Sequence, residues 1–304
     1  FLGVRLTALL NAIAEGEPAE VVTSSWLDIG VASIPRIKTD NTDRNRTSPF
    51  AFTGNRFEFR MPGSSLSIAE PNIVLNTAVA ESLRQFADYL EASGNVNEAL
   101  NVLLRETVIK HRRILFDGNN YSSEWETEAR IRGLPVLNSA VEAIPHYLDE
   151  KSFELFGRHK VLDCVEIKSR CDIALENYIK TARLEAETML EMTHRQIIPA
   201  VLSYSERVLT VLEKKNTLMI KPNIETSLAR ELNRLGNAVR NSADKLSKAM
   251  AGAPSHNLLE SAQYWHDTVL PIMGELRASA DNLERITDKS YWPFPTYGDL
   301  LFRT

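Results

Sequence analysis

A helical pattern of great length occupies the middle of the 304-residue chain. Apolar residues recur at spacings of three and four from Leu162 to Leu190, and the pattern continues with few breaks between His159 and Lys214. At 1.5 Å per residue such a helix would be about 80 Å long, and Pro199 is expected to kink it. This segment alone predicts a predominantly helical protein.

Two later segments carry the same spacing, at Leu228–Leu246 and Leu259–Leu283, and Gly252-Ala253-Pro254 separates them. We expect them to be antiparallel partners of the long helix, which gives a helical hairpin over about residues 159–288 with a third helix packed on it. The tail from Tyr291 to Tyr297 is rich in rings and prolines. It fits an aromatic plug of the bundle's own core or a contact with a partner, and the pattern leaves both open.

The N-terminal part mixes helices and strands. Helical spacing predicts helices at Phe1–Ala14, Pro71–Leu90 and Asn97–Leu115. Short extended runs at Val21–Val22 and Ile29–Ile34 predict strands between the first two helices. The sequence therefore predicts an α+β protein that is predominantly α-helical, with short antiparallel strands of a partial sheet followed by a long antiparallel helical bundle.

Charge and cysteine content narrow the class of protein. A net charge of -5 without a long basic block argues against a nucleic-acid binder. The sequence contains no run of 18 apolar residues, so we expect no membrane span.

Cys164 and Cys171 lie seven residues apart in a helical pattern, where a disulfide would be geometrically implausible. We expect two reduced, buried thiols and a cytoplasmic protein. The chain does not begin with methionine, and we expect it to be a piece of a longer protein.

Charged and aromatic side chains alternate one for one in Asn55-Arg56-Phe57-Glu58-Phe59-Arg60. In an extended strand Phe57 and Phe59 are expected to enter a core, while the three charged side chains share the opposite face. A carboxylate between two guanidinium groups suits a divalent cation together with carboxylate or phosphate ligands. A solvated strand face would show the same alternation, so the pattern alone leaves both interpretations open.

The preceding loop adds positive charge beside this strand. It reads Asp43-Arg44-Asn45-Arg46-Thr47-Ser48-Pro49-Phe50-Ala51-Phe52-Thr53-Gly54, and its small and turn-prone residues permit the close approach of a ligand. Four arginines facing two acidic groups would repel one another, so a polyanionic ligand is the natural compensation. An adenine nucleotide with Mg²⁺ would supply that charge.

Taken together, the eighteen residues from Asp43 to Arg60 closely resemble the C-terminal part of the catalytic domain of glutamine synthetases, particularly the type III class. The resemblance covers nearly the whole chain. It also includes Phe1-Leu2-Gly3, Asp28-Ile29-Gly30, Asn76-Thr77 with Ala80-Glu81-Ser82-Leu83, Glu176-Asn177-Tyr178 and Trp292-Pro293-Phe294-Pro295-Thr296-Tyr297. It implies part of a catalytic domain at residues 1–116 and a helical C-terminal region at 117–304, with the remaining metal ligands and the substrate loop upstream of Phe1.

The resemblance implies ATP-dependent ligation of ammonia to the γ-carboxyl of L-glutamate through γ-glutamyl phosphate, with Mg²⁺ or Mn²⁺, in a homo-oligomeric ring. By the same resemblance, Glu58 is expected to bind the divalent cation and Arg60 the carboxylate of glutamate. Arg46 is expected to act in catalysis by touching both the ATP phosphates and glutamate, and Arg56 to bind the nucleotide phosphates. Ala51 is a departure, because the commoner bacterial type carries a nucleotide-binding arginine at that position.

A function of another class fits the same sequence. In that alternative the chain is a non-catalytic helical scaffold or oligomerisation module, with residues 159–288 as the working part and the arginine-rich face as a structural ion network. Ligand dependence distinguishes the two. A ligase is stabilised by Mg-ATP together with a phosphorylated glutamate analogue, and a scaffold is not.

Overall fold

The structure, a computed structural model, describes residues 4–16, 26–27, 37–38, 47–53, 56–60, 62–116, 118–295 and 297–301. The contacts within the chain divide it into two compact units. Unit 1 comprises Phe1–Asn138 and Glu154–Leu162, and unit 2 comprises Ser139–Phe153 and Asp163–Thr304. The predicted boundary between residues 116 and 117 concerns the domains of a longer protein, and it stays a prediction.

Helices dominate the described residues. In chain order they are α1 (Val4–Glu15), α2 (Ala69–Glu91), α3 (Val96–His111), α4 (Ser123–Ile131), α5 (Ala140–Ala143), α6 (Glu150–Arg158), α7 (Cys164–Met192), α8 (Ile198–Thr217), α9 (Asn223–Ala251), α10 (Leu258–Tyr264), α11 (Leu270–Ile286) and α12 (Tyr297–Leu301). Among the described residues two antiparallel strand pairs accompany them, β1 (Trp26–Leu27) with β2 (Ile37–Lys38) and β3 (Phe50–Phe52) with β4 (Phe57–Phe59). The prediction of an α+β protein that is mostly helical is confirmed.

The helices of unit 1 match the sequence pattern closely. Helices α1, α2 and α3 lie where the spacing predicts them, and the predicted strands at Val21–Val22 and Ile29–Ile34 lie outside the described residues. Helix α3 packs against both α1 and α2. Nε of Arg105 in α3 donates a hydrogen bond of 3.0 Å to the carbonyl oxygen of Ala14. This bond satisfies one of the carbonyl groups left without a partner at the C-terminal end of α1.

The long helical segment of unit 2 begins later than predicted. The sequence pattern places its start at His159, whereas the side chain of Asp163 caps the first turn and α7 begins at Cys164. Upstream, Lys160 adopts a positive φ of 54°, a conformation that ends a helix. The apolar spacing runs through this break because periodicity reports which face is buried, not where the backbone turns.

Two prolines in the helices of unit 2 each lie just after a π turn. Residues Thr193–Ile197 form the first π turn, before Pro199, and Trp265–Val269 form the second, before Pro271. A proline cannot donate to the carbonyl four residues earlier, and its ring crowds that carbonyl, so the wider turn relieves the clash. At Pro199, where the sequence predicts a kink, a π turn joins α7 to α8, and the kink itself stays a prediction.

The main core of unit 2 lies among its long helices. Helix α9 packs against both α8 and α11, and α10 packs against α7. Fully buried side chains line these contacts, among them Leu232, Val239, Leu246, Val269 and Leu276. Burying such side chains is the dominant favourable term in folding, and the predicted antiparallel bundle is present with this packing.

The aromatic tail packs against the same core. Trp292 and Phe294 are half-buried against the cluster, and their ring centroids lie 6.0 Å apart in an edge-on arrangement. The ring of Tyr291 lies 5.4 Å from that of Tyr204 in α8. These contacts support the interpretation of the tail as a plug of the bundle's own core.

The two cysteines differ in exposure. Both thiols are free, as expected, but Cys164 is exposed and only Cys171 is buried. The prediction of two buried thiols is wrong for Cys164, because it occupies the first position of α7 and the buried stripe begins at Ile167. Across the described part of the chain, no helix combines the length and apolar character that a membrane crossing requires.

Candidate functional site

The site is built on the antiparallel hairpin of β3 and β4. Phe50 pairs with Phe59, Ala51 with Glu58, and Phe52 with Phe57. The backbone N–H of Thr53 donates to the carbonyl of Arg56 at 2.9 Å, and at the open end the backbone N–H of Arg60 donates to the carbonyl of Pro49 at 2.8 Å. Because facing residues of a pair share a side of the sheet, this register fixes which side chains meet.

The ionic side chains of the strand lie together on one face, as predicted. Nη2 of Arg56 lies 3.0 Å from Oε1 of Glu58, and Nη2 of Arg60 lies 3.1 Å from Oε2 of the same carboxylate. The Nε atoms of the two arginines donate to the same oxygens at 3.2 and 3.3 Å. Each guanidinium therefore forks onto one carboxylate oxygen, and Glu58 is held between two positive charges.

This arrangement favours the ionised form of Glu58. Hydrogen bonds from Arg56, and next from Arg60, hold the pKa of the Glu58 carboxyl below its ordinary value. The three side chains are also graded in exposure, with Arg56 at 71%, Glu58 at 28% and Arg60 at 21%. Glu58 is therefore an anionic oxygen ligand that solvent and small ligands can reach.

The aromatic face of the hairpin differs from the prediction. Phe57 is 59% exposed and Phe59 is 41% exposed, so neither enters a core in the described part of the chain. The rings pack on one another instead, with Phe57 stacked on Phe50 at 4.9 Å and tilted against Phe52 at 5.0 Å. The prediction is wrong because alternation assigns the rings to one face, and a two-stranded pair brings no second layer to cover it.

Ala51 lies directly across the strand pair from Glu58 and is only 1% exposed. The departure from the commoner bacterial pattern therefore falls on the residue that faces the carboxylate. An arginine there would share the ionic face with Arg56 and Arg60. The small side chain leaves those two residues as the cations on Glu58 among the described residues.

A tertiary contact that the sequence does not predict anchors the loop that contains Arg44 and Arg46. Thr47 follows Arg46 directly, and its hydroxyl donates to the carbonyl of Gly118 at 3.2 Å. The backbone N–H of Asn120 donates to the carbonyl of Thr47 at 3.1 Å. Within the described residues, Oδ1 of Asn120 is buried without a partner. No local pattern could reveal this contact, because the two segments are more than 70 positions apart in the sequence.

Some of the predicted site lies outside the described residues. Arg46, the predicted catalytic residue, and Arg44 belong to that part of the chain, so the structure places neither side chain. Over the described ranges, no group of three or more histidine, cysteine or acidic side chains is arranged to hold a metal ion. Glu58 is therefore one carboxylate oxygen donor and not a complete ligand set.

A second carboxylate of unit 1, Glu81 in α2, has a different character. It accepts hydrogen bonds from Arg84 at 2.9 Å, from Gln85 at 2.8 Å and from Arg158 at 2.6 Å, and Nε2 of His159 lies 2.8 Å away. Arg84 is the main cause that lowers its pKa well below the ordinary range. With its side chain only 11% exposed and its oxygens occupied, Glu81 joins α2 to residues 158–159 and has little capacity for a ligand.

Comparison with known proteins gives a consistent match. Residues 99–216 match the model of the glutamine synthetase C-terminal domain. The chain is 35% identical to a type-3 glutamine synthetase of Dictyostelium discoideum, 34% to a glutamine synthetase of Bacteroides fragilis and 33% to one of Butyrivibrio fibrisolvens. Each match covers 99% of this chain but only 42%, 43% and 44% of the respective relative. The chain thus spans about two fifths of the length of these relatives.

Proposed function

The chain is a relative of the glutamine synthetases, type III included, and we propose that it forms part of an ATP-dependent glutamate–ammonia ligase. The proposed reaction joins ammonia to the γ-carboxyl of L-glutamate through γ-glutamyl phosphate. One observation carries the proposal. The motif from Asp43 to Arg60, which resembles the family's active-site segment, presents Glu58 between two arginines on an accessible strand face.

We assign roles to the site residues from their chemistry and from the family resemblance. Arg60 binds the carboxylate of L-glutamate, because its fork geometry matches a carboxylate and its side chain is partly enclosed. Arg56 is the more exposed arginine and binds nucleotide phosphates. Arg46 contacts both the ATP phosphates and glutamate, and Thr47 holds its loop to residues 118–120.

Glu58 fits a divalent cation as one ligand among several. Mg²⁺ is usually held by one or two carboxylates together with waters and substrate phosphates, so a single accessible carboxylate suits it. When bound, Mg²⁺ or Mn²⁺ supplies positive charge that stabilises a transferring phosphoryl group. Glu58 would then give up a hydrogen bond that it accepts from Arg56 or Arg60, and that guanidinium would turn its N–H groups toward the anionic substrates.

The rest of the active site belongs outside this chain in our proposal. The described residues contribute one carboxylate ligand, and a phosphoryl-transfer site needs more positive charge and more metal ligands than they provide. We therefore propose that this chain works as part of a longer, cytoplasmic, homo-oligomeric protein of ring form. In it, residues 1–116 contribute to the catalytic domain and 117–304 to the helical C-terminal region.

Ligand-dependent stability of the longer protein tests the proposal. Mg-ATP with a phosphorylated glutamate analogue is expected to raise the thermal midpoint, because a ligand at 100 times its Kd stabilises the folded state by about 2.7 kcal/mol. Arg56→Gln should reduce the shift caused by Mg-ATP, and Arg60→Gln should reduce the shift caused by the analogue.

Arg130→Gln serves as the matched control, since Arg130 is an exposed arginine on α4 that pairs with Glu126. It should leave both ligand-induced shifts unchanged. If the wild-type midpoint does not move with Mg-ATP and the analogue, the ligase assignment fails and the helical scaffold becomes the better account.

A further inference from the structure

Unit 2 contains a pocket that the proposed ligase reaction does not use. It encloses about 430 Å³ between α8, the start of α9 and the segment after α11. A volume in this range is typical of sites for small organic molecules. Its lining combines apolar, aromatic and charged side chains, and consists of Tyr204, Arg207, Val208, Val211, Ile224, Glu225, Leu228, Asp288, Ser290 and Tyr291.

Glu225 gives the pocket an unsatisfied hydrogen-bond acceptor. Its Oε1 accepts a hydrogen bond of 2.5 Å from Nζ of Lys215, across the turn between α8 and α9. Its Oε2 is buried and has no donor among the described residues, and the side chain as a whole is 15% exposed. A buried charged oxygen without a donor is costly, so an N–H group of a ligand that donates to it would stabilise it.

Arg207 gives the pocket a cation that is free to bind an anion. Its guanidinium makes no hydrogen bond or ion pair with any residue of the described part of the chain, although it lines the same pocket as Glu225. Most other arginines in the long helical segments of unit 2, from α7 to α11, pair with an acidic neighbour, as Arg195 does with Glu191 and Arg234 with Glu231. An arginine fork matches the two oxygens of a carboxylate.

Apolar groups form the rest of the wall. The rings of Tyr204 and Tyr291 lie 5.4 Å apart, and Val208, which also lines the pocket, is buried. Ile224 and Leu228 line the α9 side of the pocket. Such a surface favours the hydrocarbon part of a ligand, whereas the two charged groups fix its polar ends.

From these features we infer that the pocket binds a free α-amino acid, with its ammonium group on Oε2 of Glu225 and its carboxylate on Arg207. A simple anion fits less well, because Glu225 and Asp288 would repel it. A simple cation leaves Arg207 without a partner. A zwitterion satisfies both charged groups, and its side chain can lie against the tyrosine rings.

Binding measurements on the full 304-residue chain test this inference without any assay of enzyme activity. The probes are L-alanine, L-leucine and L-glutamine at millimolar concentrations, titrated by calorimetry and by saturation-transfer NMR. The amino acid that binds best is then compared with its amide, which lacks the carboxylate, and with its deaminated acid, which lacks the ammonium group. We expect both analogues to bind about tenfold more weakly or worse, since each loses a hydrogen bond to a charged group.

Two substitutions and two matched controls locate the site. Arg207→Gln and Glu225→Gln should each weaken binding by about tenfold or more. Arg230→Gln on α9 and Glu213→Gln on α8 change exposed residues that do not line the pocket, and they should bind as the wild type does. Thermal midpoints of all four variants check that the fold is retained, and Arg207 is exposed enough for its substitution to leave the fold intact.

Several results would overturn the inference. Absence of binding by all three amino acids would do so, as would equal affinity for the amino acid and its amide or deaminated acid. Wild-type affinity in Arg207→Gln would place any bound amino acid elsewhere. None of these results bears on the ligase proposal, because the pocket lies in unit 2 and the ionic hairpin in unit 1.

Discussion

Met219 ends α8 in the left-handed region of backbone conformation, with φ of 58°. The N–H of Ile220 donates to the carbonyl of Lys215 at 2.9 Å, and the N–H of Met219 donates to that of Asn216 at 3.0 Å. These two bonds define a Schellman motif, whose left-handed position usually holds glycine. The side chain of Met219 is 94% exposed and therefore contributes little packing to offset the strain. The substitution Met219→Gly should stabilise the protein.

The size of the effect follows from two opposing terms. A residue with a Cβ loses about 1–2 kcal/mol in the left-handed conformation. Glycine avoids that strain, but it loses more conformational entropy on folding than other residues do, which lowers the free energy of unfolding by about 0.5–1 kcal/mol. The expected net gain for Met219→Gly is about 0.5–1 kcal/mol. For a folding unit of 150–250 residues, 1 kcal/mol corresponds to a rise of about 2–4 °C in the thermal midpoint.

Urea unfolding followed by far-UV circular dichroism measures the change, and two variants serve as controls. Met219→Ala keeps the Cβ and removes only exposed atoms, so it should change the free energy of unfolding by less than about 0.5 kcal/mol. Gly133→Ala changes the same motif in the opposite sense. Gly133 has φ of 67°, and an added Cβ would lie 3.8 Å from Nη1 of Arg113, which is an ordinary van der Waals contact. The Cβ should therefore destabilise by about 1 kcal/mol through the backbone alone. A destabilised Met219→Gly, or one no more stable than Met219→Ala, would refute the reasoning.

Further predictions concern the core, a carboxylate and the thiols. Leu276→Ala should lower the free energy of unfolding by about 2–5 kcal/mol, since Leu276 is 1% exposed, whereas Leu202→Ala at a 64% exposed site should have little effect in the same denaturation assay. The folded state lowers the pKa of Glu81, so its stabilising effect is present above the ordinary pKa of 4.5 and is lost as the pH falls below it. Glu81→Gln should therefore weaken the loss of thermal midpoint on acidification, and an unchanged acid dependence would contradict the role of Glu81. Burial raises the pKa of the Cys171 thiol, so a thiol reagent should label exposed Cys164 first, and equal rates at both sites would contradict the structure.

The fold could be predicted where one signal repeats over many residues. The spacing of apolar residues places α2, α3, α9 and the α10–α11 segment within a few residues of their positions in the structure. Its failures are local. The false start at His159 arises because the break after α6 uses Lys160 in a conformation that glycine usually signals. The π turns before Pro199 and Pro271 are likewise invisible to a periodicity of 3.6 residues.

The candidate site could be predicted only in part, for a similar reason. Alternation along the strand correctly places Arg56, Glu58 and Arg60 on one face. It gives no information on what covers the other face, and so the exposure of Phe57 was not predictable. The link between Thr47 and the loop at residues 118–120 depends on a tertiary contact that no local motif encodes.

Glutamine formation by the longer protein tests the central claim most directly. The assay measures glutamine and ADP produced from L-glutamate, ammonia and ATP in the presence of Mg²⁺. We predict that the wild type forms both products, and that Glu58→Ala loses activity by about 100-fold or more, as expected when one preorganised charged group is removed from a phosphoryl-transfer site. The matched control Glu70→Ala, at an exposed position in the first turn of α2, should retain wild-type activity. Glutamine formation at the wild-type rate in Glu58→Ala, or no glutamine formation by the wild type, would contradict the account.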